Sequence, residues 1–185
     1  MKRLFDILTS LVLLTLMSPL LVMVAIAISV ESKGPIIFRQ DRVGFNGKIF
    51  RINKFRSMFF TNNGPGSYYT EKNDPRITRV GRFIRDTSLD ELPQLINVLI
   101  GDMSIVGPRP DLLLQKSEYA PADWDIRNTV RPGITGLAQI SGRSNSTFEN
   151  RLHHDIKYAR THNFFLDLKI ILKTVQVVFV RKNLN

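Results

Sequence analysis

Between Ile7 and Val30 the chain carries no charged residue; Leu, Val, Ile, Met and Ala dominate, interrupted only by Thr9, Ser10, Thr15, Ser18, Ser29 and Pro19. This is long enough to span a bilayer, which takes about 20 residues. It exceeds the core of a signal peptide, and Ser29-Val-Glu-Ser-Lys33 is a poor cleavage site. Ser18-Pro19 falls at the midpoint of the run. A proline there removes a backbone donor and clashes with the preceding turn, so the pattern predicts a bend at the deepest point. Each arm of about twelve residues rises roughly 18 Å, short of a hydrocarbon core of roughly 30 Å. Lys2 and Arg3 precede the run, and Lys33, Arg39 and Arg42 follow it; basic flanks favour the cytoplasmic side. A re-entrant hairpin satisfies both flanks, whereas a proline-kinked single span sacrifices one, and the pattern leaves both open.

After Gly34-Pro35 short alternating runs take over, Ile36–Phe38 and Lys48–Ile52, separated by Gly44-Phe45-Asn46-Gly47. They predict a β-hairpin. Residues 61–75 are polar and rich in turn formers, which predicts a surface loop. Helices are expected around Thr78–Arg85, from Ser88 to Ile100, near 111–120 and over 147–162, with Gly and Pro punctuating the stretches between. From Phe164 to Val180 apolar residues recur on one side, an amphipathic helix at a membrane surface or a core helix. The expected fold class is α+β, mainly helical with short hairpin strands. It divides into a membrane segment, 1–30, and one continuous body, 31–185.

Composition adds two constraints. Zero cysteines exclude disulfides, thiolate metal sites and cysteine nucleophiles. A net charge of +10, from 26 basic against 16 acidic residues, points to an anionic partner or substrate, with nucleic acid, acidic lipid and a phosphorylated small molecule all open. Motifs narrow the choice. Neither a Gly-Lys-Ser/Thr phosphate loop nor Gly-x-Gly-x-x-Gly after a strand is present, and His153, His154 and His162 form no zinc signature. The segment Arg85–Leu95 carries the sharpest signal. Ser88 followed by Glu91 reads as a capping box opening a helix, with Asp90 and Glu91 at the positive end of its dipole. Alternatively, two adjacent carboxylates among arginines can hold a divalent cation and a phosphate, one ligating and one attacking phosphorus. Lys54, Arg56, Arg85, Arg109 and Arg143 supply cations around it, and Arg109, between two prolines, sits on a stiff backbone suited to gripping phosphate oxygens.

Taken in order, Ser18-Pro19 within an apolar run, Lys54-Phe-Arg-Ser-Met58, Leu89-Asp-Glu-Leu-Pro-Gln-Leu95, Gly101-Asp-Met-Ser104, Gly107-Pro-Arg-Pro110 and Arg131-Pro-Gly-Ile-Thr-Gly-Leu-Ala-Gln139 resemble the monotopic bacterial phosphoglycosyl transferases. The resemblance covers nearly the whole chain and is to the minimal catalytic form. It implies a re-entrant helix broken at Ser18-Pro19, both ends cytoplasmic, on the bacterial inner membrane. It further implies Asp90 as nucleophile, Glu91 as Mg²⁺ ligand, and Lys54, Arg56, Arg85, Arg109 and Arg143 as phosphate-binding cations. The implied reaction moves a sugar phosphate from a UDP-sugar donor to a polyprenyl (undecaprenyl) phosphate acceptor through a covalent aspartyl-phosphosugar, releasing UMP. Ser141 stands where the family more often has asparagine. The implied partners are the two substrates and membrane lipid, with a homodimer compatible and no nucleic acid. A Mg²⁺-dependent UDP-sugar hydrolase and a non-catalytic anchored binder of nucleic acid or acidic lipid are the rival readings.

Overall fold

A computed structural model describes residues 1–60, 74–141 and 147–181. Most of the loop expected over 61–75, and Arg143, lie outside them. The apolar run forms α1 (Lys2–Glu31), one helix that continues through Pro19. The break expected at Ser18-Pro19 therefore does not interrupt it. Pro19 has no N–H for the Thr15 carbonyl, but the Ser18 hydroxyl donates to that same carbonyl at 2.8 Å, so the vacant acceptor is filled locally. Leu8, Leu11, Val12, Leu16, Met23, Ile26 and Val30 are exposed along α1, a helix long and apolar enough to cross a membrane.

Both ends of α1 are fastened to the same body. At the start, Lys2 Nζ meets Asp167 at 2.6 Å and the Val106 carbonyl. Arg3 donates to the carbonyls of Val98 and Leu99, and the buried Asp6 accepts from Ser104 Oγ and Ile105 N–H. At the far end, Val24 and Ile28 pack against Phe55 and Ile84. There Glu31 accepts the N–H groups of Arg79 and Val80.

The hairpin forms as expected but longer, β1 (Ile37–Val43) against β2 (Ile49–Phe55), antiparallel from Ile37↔Phe55 to Val43↔Ile49. Thr78 caps α2 (Arg79–Asp86) by accepting from Gly81 N–H at 2.8 Å. The helix expected from Ser88 starts late: a 3₁₀ turn, Leu89–Glu91, precedes α3 (Gln94–Ile100), which opens behind Pro93. Two three-residue strands, β3 (Ser104–Val106) and β4 (Gly133–Thr135), pair in parallel; runs so short carry no readable alternation. The pattern also gave no sign of α4 (Pro121–Arg127) or α5 (Leu137–Ser141), and 111–120 holds only a 3₁₀ stretch, Leu113–Glu118. The last two helices, α6 (Phe148–Thr161) and α7 (Phe164–Arg181), match expectation. On α7 Ile170 is fully buried, as in a core helix, while Phe165, Leu172 and Val175 are exposed.

The main core joins Phe50 and Ile52 of β2, Leu95 and Val98 of α3, Ile105 and Val106 of β3, Tyr158 of α6 and Ile170 of α7. At its edge Gly107 and Gly133 bring two backbones together: a Cβ on Gly133 would lie 2.0 Å from Gly107 N, and one on Gly107 2.2 Å from the Arg131 carbonyl. Only glycine permits this approach. Gly133→Ala is expected to cost about 3 kcal/mol, as overpacking against immovable backbone does. Thermal unfolding in detergent micelles measures it, and a melting curve matching wild type would refute the contact.

Candidate active site

Four segments converge where the motifs meet. Lys54 lies near the end of β2, Arg85 in the last turn of α2, Asp90 and Glu91 on the 3₁₀ turn, and Arg109 on the loop after β3. Asn97, fully buried on α3, ties β2 to the helix that follows the 3₁₀ turn. Its Oδ1 accepts from Asn53 N and Nδ2 at 2.9 and 3.0 Å, and its Nδ2 donates to the Arg51 carbonyl at 2.7 Å. A buried amide with its hydrogen bonds satisfied holds the strand on the helix at one register.

The capping box read from Ser88 and Glu91 is not made. Ser88 adopts the left-handed region, φ 59°, and its side chain makes no cap hydrogen bond. Instead, Glu91 turns its carboxylate inward, where Oε1 accepts from Lys54 Nζ at 2.8 Å and from Arg109 at 2.7 Å. With only 18% of its side chain exposed, Glu91 would resist ionising, but the two cations outweigh that burial and hold its pKa down at about 2. Lys54 is pulled below its ordinary value, chiefly by burial. The neighbouring Asp90 accepts no hydrogen bond among the described residues; burial first, and the Glu91 charge second, raise its pKa to about 6 against the pull of Lys54, Arg85 and Arg109. Two adjacent carboxylates are thus driven apart, one a committed anion and one a poised, unbonded group.

These residues line a cavity of about 680 Å³. Its charged lining is Lys54, Arg85, Asp90, Glu91 and Arg109, joined by Arg151 and Asp155 of α6, while Leu13 of α1, Ile134, Ile140, Ile171 and Val175 give it aliphatic surface. Arg151 and Asp155 went unnoticed in the sequence. Their i, i+4 spacing places them on one helical face, but nothing local aims that face at Asp90. Arg56, expected among the phosphate-binding cations, does not reach the cavity. It is 5% exposed, with its guanidinium donating to the carbonyls of Ser32 and Lys33 and to the Ser32 hydroxyl, so it anchors the chain leaving α1. Arg143 lies outside the described residues, and Ser18 and Pro19 lie within α1, outside the cavity lining.

The sequence model of the bacterial sugar transferase family matches residues 1–181. The chain belongs to that family. Among its relatives are a UDP-glucose:undecaprenyl-phosphate glucose-1-phosphate transferase of Klebsiella pneumoniae, 47% identical over 98% of this chain and 41% of the relative, and a protein of the same name from Caulobacter vibrioides, 42% identical over 98% and 71%. An undecaprenyl-phosphate galactose phosphotransferase of Salmonella typhimurium is 42% identical over 98% and 41%. This chain thus spans about two fifths of the length of several curated relatives that it matches, the Klebsiella and Salmonella proteins among them.

For a divalent cation the donor set is sparse but of the right kind. Among the described residues no group of three or more His, Cys, Asp or Glu side chains converges. Both cations on Glu91 use Oε1, which leaves Oε2 open, and a small hard cation is commonly held by one or two carboxylates together with substrate phosphate oxygens. The electrostatics set opposite expectations for the two carboxylates. Because the pKa of Asp90 is raised from 3.8 to about 6, its ionised form opposes folding. Asp90→Asn is therefore expected to melt at or above wild type near neutral pH, with the difference gone below about pH 4. Glu91, lowered from 4.5 to about 2, stabilises the fold above pH 4.5, and that contribution fades as pH falls through about 2. Glu91→Gln should cost roughly 1–3 kcal/mol near neutral pH, because the amide oxygen can still accept from Lys54 and Arg109 but no longer neutralises their charge. Calorimetric melts of both variants decide, and a reversed order of stabilities would refute the assignment.

Proposed function

We propose that this chain is a membrane-bound phosphoglycosyl transferase that moves a sugar 1-phosphate from a UDP-sugar to a polyprenyl phosphate and releases UMP. The observation that carries this reading is the lining of the cavity: a poised carboxylate and four cations share one space with aliphatic side chains of α1 and α7. A nucleotide sugar uses the charges and has no need of the aliphatic surface; a lipid-linked phosphate uses both. The names of the relatives, which join UDP-glucose to undecaprenyl phosphate, agree with such a pair of substrates.

In the proposed reaction Asp90 Oδ attacks the β-phosphorus of the donor. The bond from that phosphorus to the bridging oxygen breaks, UMP leaves, and the sugar phosphate remains on the aspartate. An oxygen of the acceptor phosphate then attacks the same phosphorus, the aspartyl bond breaks, and a diphosphate-linked lipid forms. Covalent catalysis divides a displacement between two large anions into two easier steps. Lack of hydrogen bonds on Asp90 keeps its oxygen free to attack, while Arg85, Arg109, Arg151 and Lys54 offset the repulsion between carboxylate and diphosphate. Glu91 Oε2 and the donor's phosphate oxygens would hold Mg²⁺, which when bound supplies further neutralisation of the diphosphate.

The same reading places α1 in the membrane as a re-entrant element that bends at Pro19 without unwinding there, with the body on the cytoplasmic face. A helix that crosses a bilayer delivers its two ends to opposite sides. Here Lys2, Arg3 and Asp6 at one end and Val24, Ile28 and Glu31 at the other contact one body, which supports a shallow insertion over a crossing.

Intact-mass measurement of the purified chain with Mg²⁺ and UDP-glucose, UDP-galactose or UDP-N-acetylgalactosamine tests the first step. One donor is expected to add a phosphosugar to wild type and not to Asp90→Asn, with UMP release on addition of undecaprenyl phosphate. Release of free sugar phosphate without lipid would instead identify a hydrolase, and no turnover of any donor would leave a binding protein.

A further inference from the structure

The segment around Arg109 has no regular secondary structure, and Pro108 and Pro110 have no N–H to engage a neighbour. Its carbonyls nevertheless all find donors. Pro108 O accepts from Gly133 N at 2.9 Å and Asp111 O from Val43 N at 2.9 Å. Between them two guanidiniums act: Arg127 donates to the Arg109 carbonyl, and Arg42 to the Pro110 carbonyl at 3.2 Å. Four successive carbonyls are thus bolted to three elements, β4, α4 and, through the adjacent Arg42 and Val43, β1.

Arg127 is the unusual member. Its side chain is 2% exposed, and every nitrogen is engaged: Nε with Asp155 at 2.9 Å, one terminal nitrogen with Asp111 at 3.0 Å and the other with the Arg109 carbonyl. The guanidinium also lies over the Tyr119 ring, 5.6 Å from its centroid, and Tyr119 donates to Asp111 at 2.6 Å. A buried cation so enclosed offers nothing to a substrate. It does fix the root of Arg109, whose half-exposed guanidinium reaches Glu91. Arginine suits this post because its planar fork spans three acceptors at once, which the point charge of a lysine does not.

We propose that Arg127 is a positioning residue for the reaction: through the Arg109 carbonyl it sets where the Arg109 guanidinium stands between Glu91 and a substrate phosphate. This rests on the transferase reading above. A displacement of about 1 Å in a catalytic group can cost on the order of 100-fold in rate, so the backbone anchor matters even though it touches no substrate.

The test is a double-mutant cycle on the full chain in detergent, following UMP release with undecaprenyl phosphate from each of UDP-glucose, UDP-galactose and UDP-N-acetylgalactosamine. Arg127→Lys is expected to lower kcat about 10- to 100-fold with a smaller change in donor KM. In an Arg109→Lys background, where a flexible stem gains little from a fixed root, the same substitution should add less than about twofold. Equal losses in both backgrounds would show that the effect does not pass through Arg109, whether it runs through Asp155 or through the fold at large, and would overturn the proposal, as would an unchanged kcat. Should Arg127→Lys lower the melting temperature by more than roughly 10 °C, the cycle is run at a temperature at which all four proteins remain folded, with the same dependence on Arg109 expected. A wild-type chain that releases no UMP from any donor would instead overturn the transferase reading, and this inference with it.

Discussion

A single carboxylate oxygen organises the site. Glu91 Oε1 accepts from both Lys54 and Arg109, so β2, the 3₁₀ turn and the loop after β3 meet at one atom. Neither cation can be satisfied by the other, and an exposed pair of this kind would contribute little. Partial burial changes the balance: the Glu91 pKa falls despite desolvation, while the Asp90 pKa rises beside it. The difference between the two carboxylates therefore arises from where each side chain points, since adjacent positions on a short turn face different surroundings.

That turn exists because Ser88 takes a left-handed conformation. Had Ser88 capped a helix beginning at Leu89, Glu91 would have reached back to the cap and Lys54 would have faced Asp90 without it. The energetic advantage of a local cap, about 1 kcal/mol, is given up for two charge-assisted hydrogen bonds in a partly buried site, each worth roughly 1.5–3 kcal/mol. Sites of function are where such local preferences are overridden.

The membrane helix and the site are one structure. Leu13 of α1 and Val175 of α7 line the same cavity as Asp90, and Lys2 binds Asp167 of α7. Arg56 contributes from the other end by holding the carbonyls of Ser32 and Lys33. Anchoring both termini of α1 sets the height of the charged groups relative to the apolar side chains of α1, which the proposed reaction between a water-soluble donor and a lipid-linked acceptor would require.

Much of this was legible in the sequence. The uncharged run, the hairpin, the helices near Arg79, Phe148 and Phe164, and the ordered motifs that mark the family all follow from short-range pattern, because periodicity and turn chemistry are encoded within a few residues. Lys54, Arg85, Asp90, Glu91 and Arg109 could be singled out by type and neighbourhood. Which cations face the cavity was not legible there. Arg56 and Arg109 both sit in family motifs, yet one is spent on backbone carbonyls and the other on Glu91. Arg127, Arg151 and Asp155 carry no local signature at all. Tertiary structure decided these roles, because pairing a buried charge depends on partners brought from distant parts of the chain, and desolvation, absent from any linear pattern, determines which pairings are favourable.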